Sequence, residues 1–159
     1  MKLAALFSGG KDSTYAIHLA KKLSHSVDVL LTLYPHSDES HLLHHPNIKF
    51  TTLQSESMEI PQLIEEIPSV ENETEFKKLE KLITLAKENH SIEGIVHGGI
   101  LSKYQKDNFS LICQKNDLEI ISPLWNKNPE SYMKELLEEN FEYIISSVSC
   151  DGLDDSWLG

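Results

Sequence analysis

Arginine is absent from the 159 residues: all 14 basic side chains are lysine, set against 25 aspartates and glutamates for a net charge of −11. General binding to a nucleic-acid backbone takes clustered positive charge, so this balance argues against direct nucleic-acid contact. It leaves room for one small phosphate site built from backbone amides. Cysteine is scarce as well. Cys113 and Cys150 lie far apart, match no zinc or redox spacing, and read as reduced thiols, buried or idle. No apolar run approaches the roughly 20 residues of a membrane span. The first apolar stretch, Leu3-Ala4-Ala5-Leu6-Phe7, is cut at once by Ser8-Gly9-Gly10 and is too short for a secretory signal. A cytoplasmic protein with no membrane partner is expected. What is present is ordinary for a globular chain: 40% hydrophobic and 25% charged residues. That composition excludes a disordered tail, a collagen-like repeat and a coiled-coil rod, and the length predicts a single domain over residues 1–159.

Apolar, β-branched runs recur at Lys2 to Phe7, Val27 to Tyr34, Ile92 to His97, Leu118 to Leu124 and Tyr143 to Val148. Near-continuous apolar strands are expected where helices cover both faces of a parallel sheet. Helical patterns lie between them. Tyr15, Ala16, Leu19, Ala20 and Leu23 share one stripe, and Phe76, Leu79, Leu82, Ile83 and Ala86 share another behind the candidate cap Asn72 with Glu75 three residues on. Asn128-Pro129 reads as a cap and first helical residue opening Glu130 to Glu139. From His36 to Pro68 the pattern is a loop with a short helix, then a strand near Leu63 to Ile67. The alternation predicts an α/β fold, a mostly parallel open sheet with helices on both faces. Ligands bind such sheets beyond the carboxyl ends of the strands, which directs attention to the loops after Phe7, Tyr34, His97 and Leu124.

The first of these loops, Ser8-Gly9-Gly10-Lys11-Asp12-Ser13, joins a strand to a helix. Glycines let the backbone turn tightly and bring N–H groups near an anion, and the helix N-terminus adds partial positive charge. Ser8 and Ser13 add hydroxyls and Lys11 a compact charge, a set suited to phosphate or pyrophosphate. A side chain at Gly10 is expected to obstruct that approach and to demand a backbone conformation closed to it. The loop is not a Walker A motif, because Ala5 and Asp12 stand where glycine and Ser/Thr are needed, and it lacks the Gly-x-Gly-x-x-Gly of dinucleotide sites. His41, His44 and His45 have the i, i+3, i+4 spacing of metal ligands, but no carboxylate or cysteine matches them, and Pro46 follows. The lysines and glutamates from Glu71 to Lys87 read as a solvated helix face.

The hexamer Ser8 to Ser13 resembles the pyrophosphatase loop of N-type ATP pyrophosphatases (PP-loop proteins, adenine nucleotide alpha hydrolase-like and Rossmann-like in fold), which cleave ATP between its α and β phosphates. Further segments narrow the resemblance: His45-Pro46-Asn47-Ile48, Glu56-Ser57-Met58-Glu59-Ile60-Pro61, Gly99-Ile100-Leu101-Ser102-Lys103-Tyr104-Gln105, Pro123-Leu124-Trp125, and Leu153-Asp154-Asp155-Ser156-Trp157-Leu158-Gly159. In that order, over essentially the whole chain, they resemble the diphthine–ammonia ligase family, the ATP-binding domain of type 4. The resemblance implies an AMP-forming acid–ammonia ligase. It would adenylate the carboxylate of diphthine on translation elongation factor 2 and amidate it with ammonia, giving diphthamide, AMP and pyrophosphate.

Carried onto this sequence, the resemblance implies that Ser8, Gly9, Gly10, Lys11, Asp12 and Ser13, with Gly98 and Gly99, hold ATP. Lys11, Asp12, Tyr104 and Gln105 are the candidate catalytic residues, and Asp12 the candidate ligand of Mg²⁺, with capping of the first helical turn as its other reading. Ser102, Tyr104 and Gln105 would face the substrate or the α-phosphate. Trp125 would stack on adenine or on the trimethylammonio group of diphthine, or else pack in the core. Asp154 and Asp155 read as metal- or substrate-facing or as a solvated turn, and His45 to Asn47 as shaping the mouth of the site. A homodimer is left open.

Two departures stand out. Relatives carry arginines just after Tyr-Gln and an acid before it, where this chain has Lys106, Asn108 and Lys103; lysine keeps the charge and loses bidentate phosphate recognition. Relatives also continue past the Trp-Leu-Gly segment into a second lobe, whereas this sequence ends at Gly159, so ATP binding is expected to be the more robust function. The competing readings are an adenylating enzyme for another carboxylate or a tRNA, and a non-catalytic ATP-binding module.

Overall fold

A computed structural model describes residues 1–35, 48–67, 72–148 and 151–159. Five strands form one sheet in the order β3-β2-β1-β4-β5. They are β1 Lys2–Leu6, β2 Ser26–Pro35, β3 Gln62–Ile67, β4 Gly94–Val96 and β5 Glu119–Ile121, every neighbouring pair being parallel. The helices are α1 Lys11–Lys22, α2 Thr51–Met58, α3 Asn72–His90, α4 Lys103–Lys115 and α5 Pro129–Glu138, and a 3₁₀ turn, Ile48–Phe50, leads into α2. The chain divides into two compact units, Met1–Asn126 and Lys127–Gly159.

The alternation of side chains along a strand builds two cores in the first unit. On β1, Leu3, Ala5 and Phe7 join Ala16, Ile17 and Ala20 of α1. Ala4 and Leu6 point the other way, onto Leu79, Leu82, Ile83 and Ala86 of α3 and Phe109, Ile112 and Cys113 of α4. These central strands are buried on both faces, as their unbroken apolar runs predict. Between Leu3 and Ala4 the pairing with β2 jumps from Val27 to Val29, so Asp28 forms a bulge. The edge strand β3 borders solvent and alternates more: Glu65 is gripped by Lys78 and Lys81 of α3, and these two ammonium groups hold its carboxyl below the usual carboxylate range. Burial, aided by nearby Glu119, pushes the Cys113 thiol up to about 11, which keeps it protonated and unreactive. Cys150 lies outside the described residues.

In the second unit Asn128 accepts a hydrogen bond from Ser131 N at 3.0 Å, with Pro129 opening α5, the cap read from the sequence. Asp154 caps a 3₁₀ turn, Asp155–Trp157, and bonds both N and Oγ of Ser156. The expected strand from Tyr143 to Val148 does not form: residues 143–148 carry no ladder, and Ile144 stays 73% exposed. β-Propensity marks residues that fit a sheet, but a strand also needs a neighbour to pair with. The expected capping residue Asn72 is the first residue of α3. Its side chain and residues 68–71 lie outside the description, as do residues 36–47 with His41, His44 and His45.

Candidate active site

Strand order reverses between β1 and β4, and the loops leaving their carboxyl ends meet there. Phe7 continues β1 by one residue through its N–H to Leu31 O at 2.8 Å, after which Ser8, Gly9 and Gly10 turn into α1. Gly9 takes the left-handed turn at φ +78°. Gly10 is the helix cap at φ −79°, so the expectation that Gly10 needs a glycine-only conformation is corrected: that need falls on its neighbour. A Cβ at Gly10 would meet nothing closer than Ser8 Oγ at 3.7 Å. Gly10 offers no side-chain acceptor to the first turn of α1.

The hydroxyls brace this turn. Ser8 Oγ donates to Ser13 Oγ at 3.0 Å, which donates to Gly10 O at 3.0 Å, and Thr14 Oγ1 reaches the same carbonyl at 3.0 Å. Lys11 Nζ pairs with Asp12 Oδ1 at 2.7 Å, so both charges stand at the first turn of α1, where Asp12 lies inside the helix rather than at its cap.

Gly98 fixes how close the second loop comes. A Cβ there would lie 2.5 Å from the backbone C and O of Asp12 and 2.7 Å from Ser13 N. The loop after β4 thus runs directly against the first turn of α1, an approach that only glycine permits. Gly99 N donates to Nδ1 of His97 at 3.0 Å, and His97 Nε2 lies 2.6 Å from Ser122 Oγ beyond β5. Accepting at Nδ1 leaves the ring proton on Nε2, donated to Ser122. Burial, with a smaller push from Lys106, lowers the His97 pKa to about 4, so the ring is neutral at physiological pH. Phe109 meets its ring edge-on at 5.1 Å.

Ser102 caps α4, accepting from Gln105 N at 3.3 Å, and Gln105 Oε1 would stand 3.2 Å from a Cβ at Gly99. Ser102, Tyr104 and Gln105 therefore share the first turn of the helix that follows the Gly98-Gly99 loop. Tyr104 is 43% exposed and rests edge-on against Phe76 of α3 at 6.2 Å. Trp125 sits on the loop after β5, which is tied to the β4 loop by Asn126 N donating to Ile100 O at 3.0 Å. Its ring carries Lys106 Nζ at 4.4 Å from the centroid, a cation–π contact. So Lys106 is turned to an indole, and Asn108 Nδ2 donates to Tyr104 O at 2.9 Å.

The loops after β1, β4 and β5 thus assemble at one end of the sheet. The sequence reading did not single out His97, nor Gln54 of α2, whose Nε2 donates to Gly9 O at 2.9 Å. Neither lies in a motif segment; their signal is position alone, beside a strand end or opposite a glycine carbonyl.

Residues 1–120 match the family model described as the diphthamide synthase N-terminal domain. The chain belongs to this family. Diphthine–ammonia ligase of Rattus norvegicus is 33% identical and that of Homo sapiens 32% identical, each alignment covering 100% of this chain and 66% of the relative. The Schizosaccharomyces pombe enzyme of the same name is 28% identical, and this chain covers 29% of it. The chain therefore spans a little under two thirds of the mammalian members it matches. A solved structure titled a predicted subunit of tRNA methyltransferase from Methanocaldococcus jannaschii superposes with a TM-score of 0.52 at 18% identity, covering 96% of this chain and 82% of that one. That likeness shows the fold, and the parallel α/β architecture expected from the sequence stands.

Proposed function

We propose that this diphthamide synthase family domain is an ATP-dependent amide ligase. It would adenylate the carboxylate of diphthine on translation elongation factor 2 and let ammonia displace AMP, giving diphthamide, AMP and pyrophosphate. One observation carries the reading: the Ser8 to Ser13 loop turns into an uncapped helix N-terminus at the point where strand order reverses, with Gly98 backed onto it. Backbone amides there are aimed before the charge develops on the phosphates, which is the arrangement that lowers an electrostatic barrier.

The loop fits the triphosphate: its hydroxyls and amides are donors, its glycines remove side chains from the approach, and Lys11 supplies a compact charge. The donor set also fits Mg²⁺. No group of three or more His, Cys, Asp or Glu converges among the described residues, and a magnesium ion carried with phosphates needs one or two carboxylates, not a protein cage. Asp12 would provide one, exchanging its Lys11 partner for the metal, and bound Mg²⁺ would neutralise phosphate charge. Tyr104 and Gln105, on the first turn of α4, would orient the acceptor carboxylate against the α-phosphate, with Ser102 fixing that turn. Trp125 would take the cationic trimethylammonio group on the face where Lys106 now rests. No helix among the described residues is long and apolar enough to cross a membrane.

The test is incubation of the chain with ATP, Mg²⁺, ammonium and diphthine-bearing elongation factor, followed by intact mass. Replacement of the acceptor's hydroxyl by an amino group supports the reading. An unchanged acceptor under conditions where a full-length relative converts it rejects the reading for this chain.

A further inference from the structure

The glycine loop is held from outside as well as from within. Gln54 on α2 donates from Nε2 to the Gly9 carbonyl at 2.9 Å. Its Oε1 is buried with no hydrogen-bond partner among the described residues, and a Cβ at Gly9 would stand 2.4 Å from it. The amide can face the loop only this way round, since the turned form sets two acceptors against each other. A buried acceptor left unsatisfied is costly, so the contact to Gly9 is kept against that cost. The entry to the loop is tied by a parallel device. Gln62 Nε2 donates to Thr32 Oγ1 at 2.7 Å, Thr32 donates to Phe7 O at 2.8 Å, and Gln62 Oε1 is likewise buried and unpartnered.

The segment bearing Gln54 is firmly placed. Ser55 Oγ donates to Ile60 O at 2.6 Å, Glu59 closes α2 in the left-handed region at φ 55°, and Leu30 N of the central sheet donates to Pro61 O at 2.8 Å. In a trans peptide the carbonyl and the next N–H point in opposite directions. Drawing Gly9 O toward α2 therefore turns Gly10 N–H away from α2, where it donates to Ser8 Oγ at 3.5 Å, a long hydrogen bond that a phosphate oxygen can replace. A glycine at positive φ has the freedom to rotate that peptide, and the Gln54 contact opposes the rotation.

We propose that Gln54 is a positioning residue that fixes the Gly9–Gly10 peptide so that the Gly10 N–H faces the phosphates. This rests on reading the loop as the pyrophosphate site of ATP. The experiment titrates the full chain with inorganic pyrophosphate and Mg²⁺ by calorimetry, comparing parent, Gln54→Met and Gln54→Glu from pH 8 to pH 5. Methionine keeps length and packing without a donor, so affinity should fall about tenfold or more at every pH. Glutamate repels the Gly9 carbonyl when ionised and donates to it when protonated. Its affinity relative to parent should therefore recover as pH falls; the neighbouring charges of Lys11 and Asp12 are common to both proteins and cancel in the ratio. Affinities within twofold of parent in both variants overturn the proposal. A Gln54→Glu deficit flat in pH also overturns it, by assigning the loss to packing. A parent that binds neither pyrophosphate nor ATP rejects the reading of the loop itself, and the proposal falls with it.

Discussion

Gly98→Ala is the sharpest perturbation of the β1–β4 junction. The added methyl would stand 2.5 Å from two backbone atoms of Asp12 and 2.7 Å from a third atom, Ser13 N. Carbon atoms rest at roughly 3.5–4.0 Å, so the two backbones must part by on the order of 1 Å. No flexible side chain is available to yield. Overpacking of this kind costs about 1–3 kcal/mol, which for a chain of this size lowers the melting temperature by roughly 2–12 °C. The atoms displaced belong to the first turn of α1, whose amides would hold the phosphates. Hydrogen bonds weaken steeply over such a shift, so pyrophosphate affinity should drop at least tenfold, about 1.4 kcal/mol. Gly10→Ala is the control: its methyl meets only Ser8 Oγ at 3.7 Å, and its φ of −79° suits any residue, so it should melt with the parent. Thermal melts by circular dichroism and calorimetric titration with pyrophosphate read both effects. Parent-like melting and binding in Gly98→Ala would refute the reasoning, as would a larger stability loss in Gly10→Ala.

Three further outcomes are expected. His97, with a folded pKa of about 4 against 6.5 unfolded, binds its proton mainly when the chain unfolds; stability from this group is full above pH 6.5 and is lost as pH falls toward 4, roughly 3 kcal/mol in all. Denaturant titrations of His97→Gln should lack that component, and equal acid slopes in both proteins would remove His97 as its source. Gln105→Ala should leave ATP affinity within a few-fold yet depress acceptor-dependent AMP formation, and Tyr104→Phe tests the exposed hydroxyl alone; parent turnover in both would make that turn structural. Lys106→Met removes the cation from Trp125, a contact of about 0.5–1 kcal/mol. The protein should stay folded, its tryptophan emission should change, and choline should perturb that emission more strongly than in the parent; indistinguishable spectra and titrations would dismiss the contact.

The sequence displayed the sheet because its central strands are buried on both faces and so read as unbroken apolar runs, and β1 to β5 lie within or beside the expected segments. It displayed the glycine loop because a Gly-Gly pair between a strand and a helix has few other uses. It did not reveal which glycine carries the positive φ: Gly9 and Gly10 are alike as letters, and the turn falls on Gly9, whose carbonyl accepts from Gln54, 45 residues on. Gly98 is demanded by the backbone of Asp12, a neighbour in space alone. Gln54 and His97 were missed for the same reason, each acting through one tertiary hydrogen bond that no periodicity encodes. The run 143–148 misled in the opposite sense, since apolar letters say nothing about whether a pairing strand exists.

Most central is the proposal that the glycine loop holds ATP so that a carboxylate attacks its α-phosphate. Labelling the carboxylate oxygens of the diphthine-bearing acceptor with ¹⁸O, and following the label through one turnover with ATP and ammonium, tests it directly. Attack at the α-phosphate makes an acyl-adenylate, and displacement by ammonia leaves one labelled oxygen on AMP with unlabelled pyrophosphate. Label in inorganic phosphate, accompanied by ADP, would contradict the account.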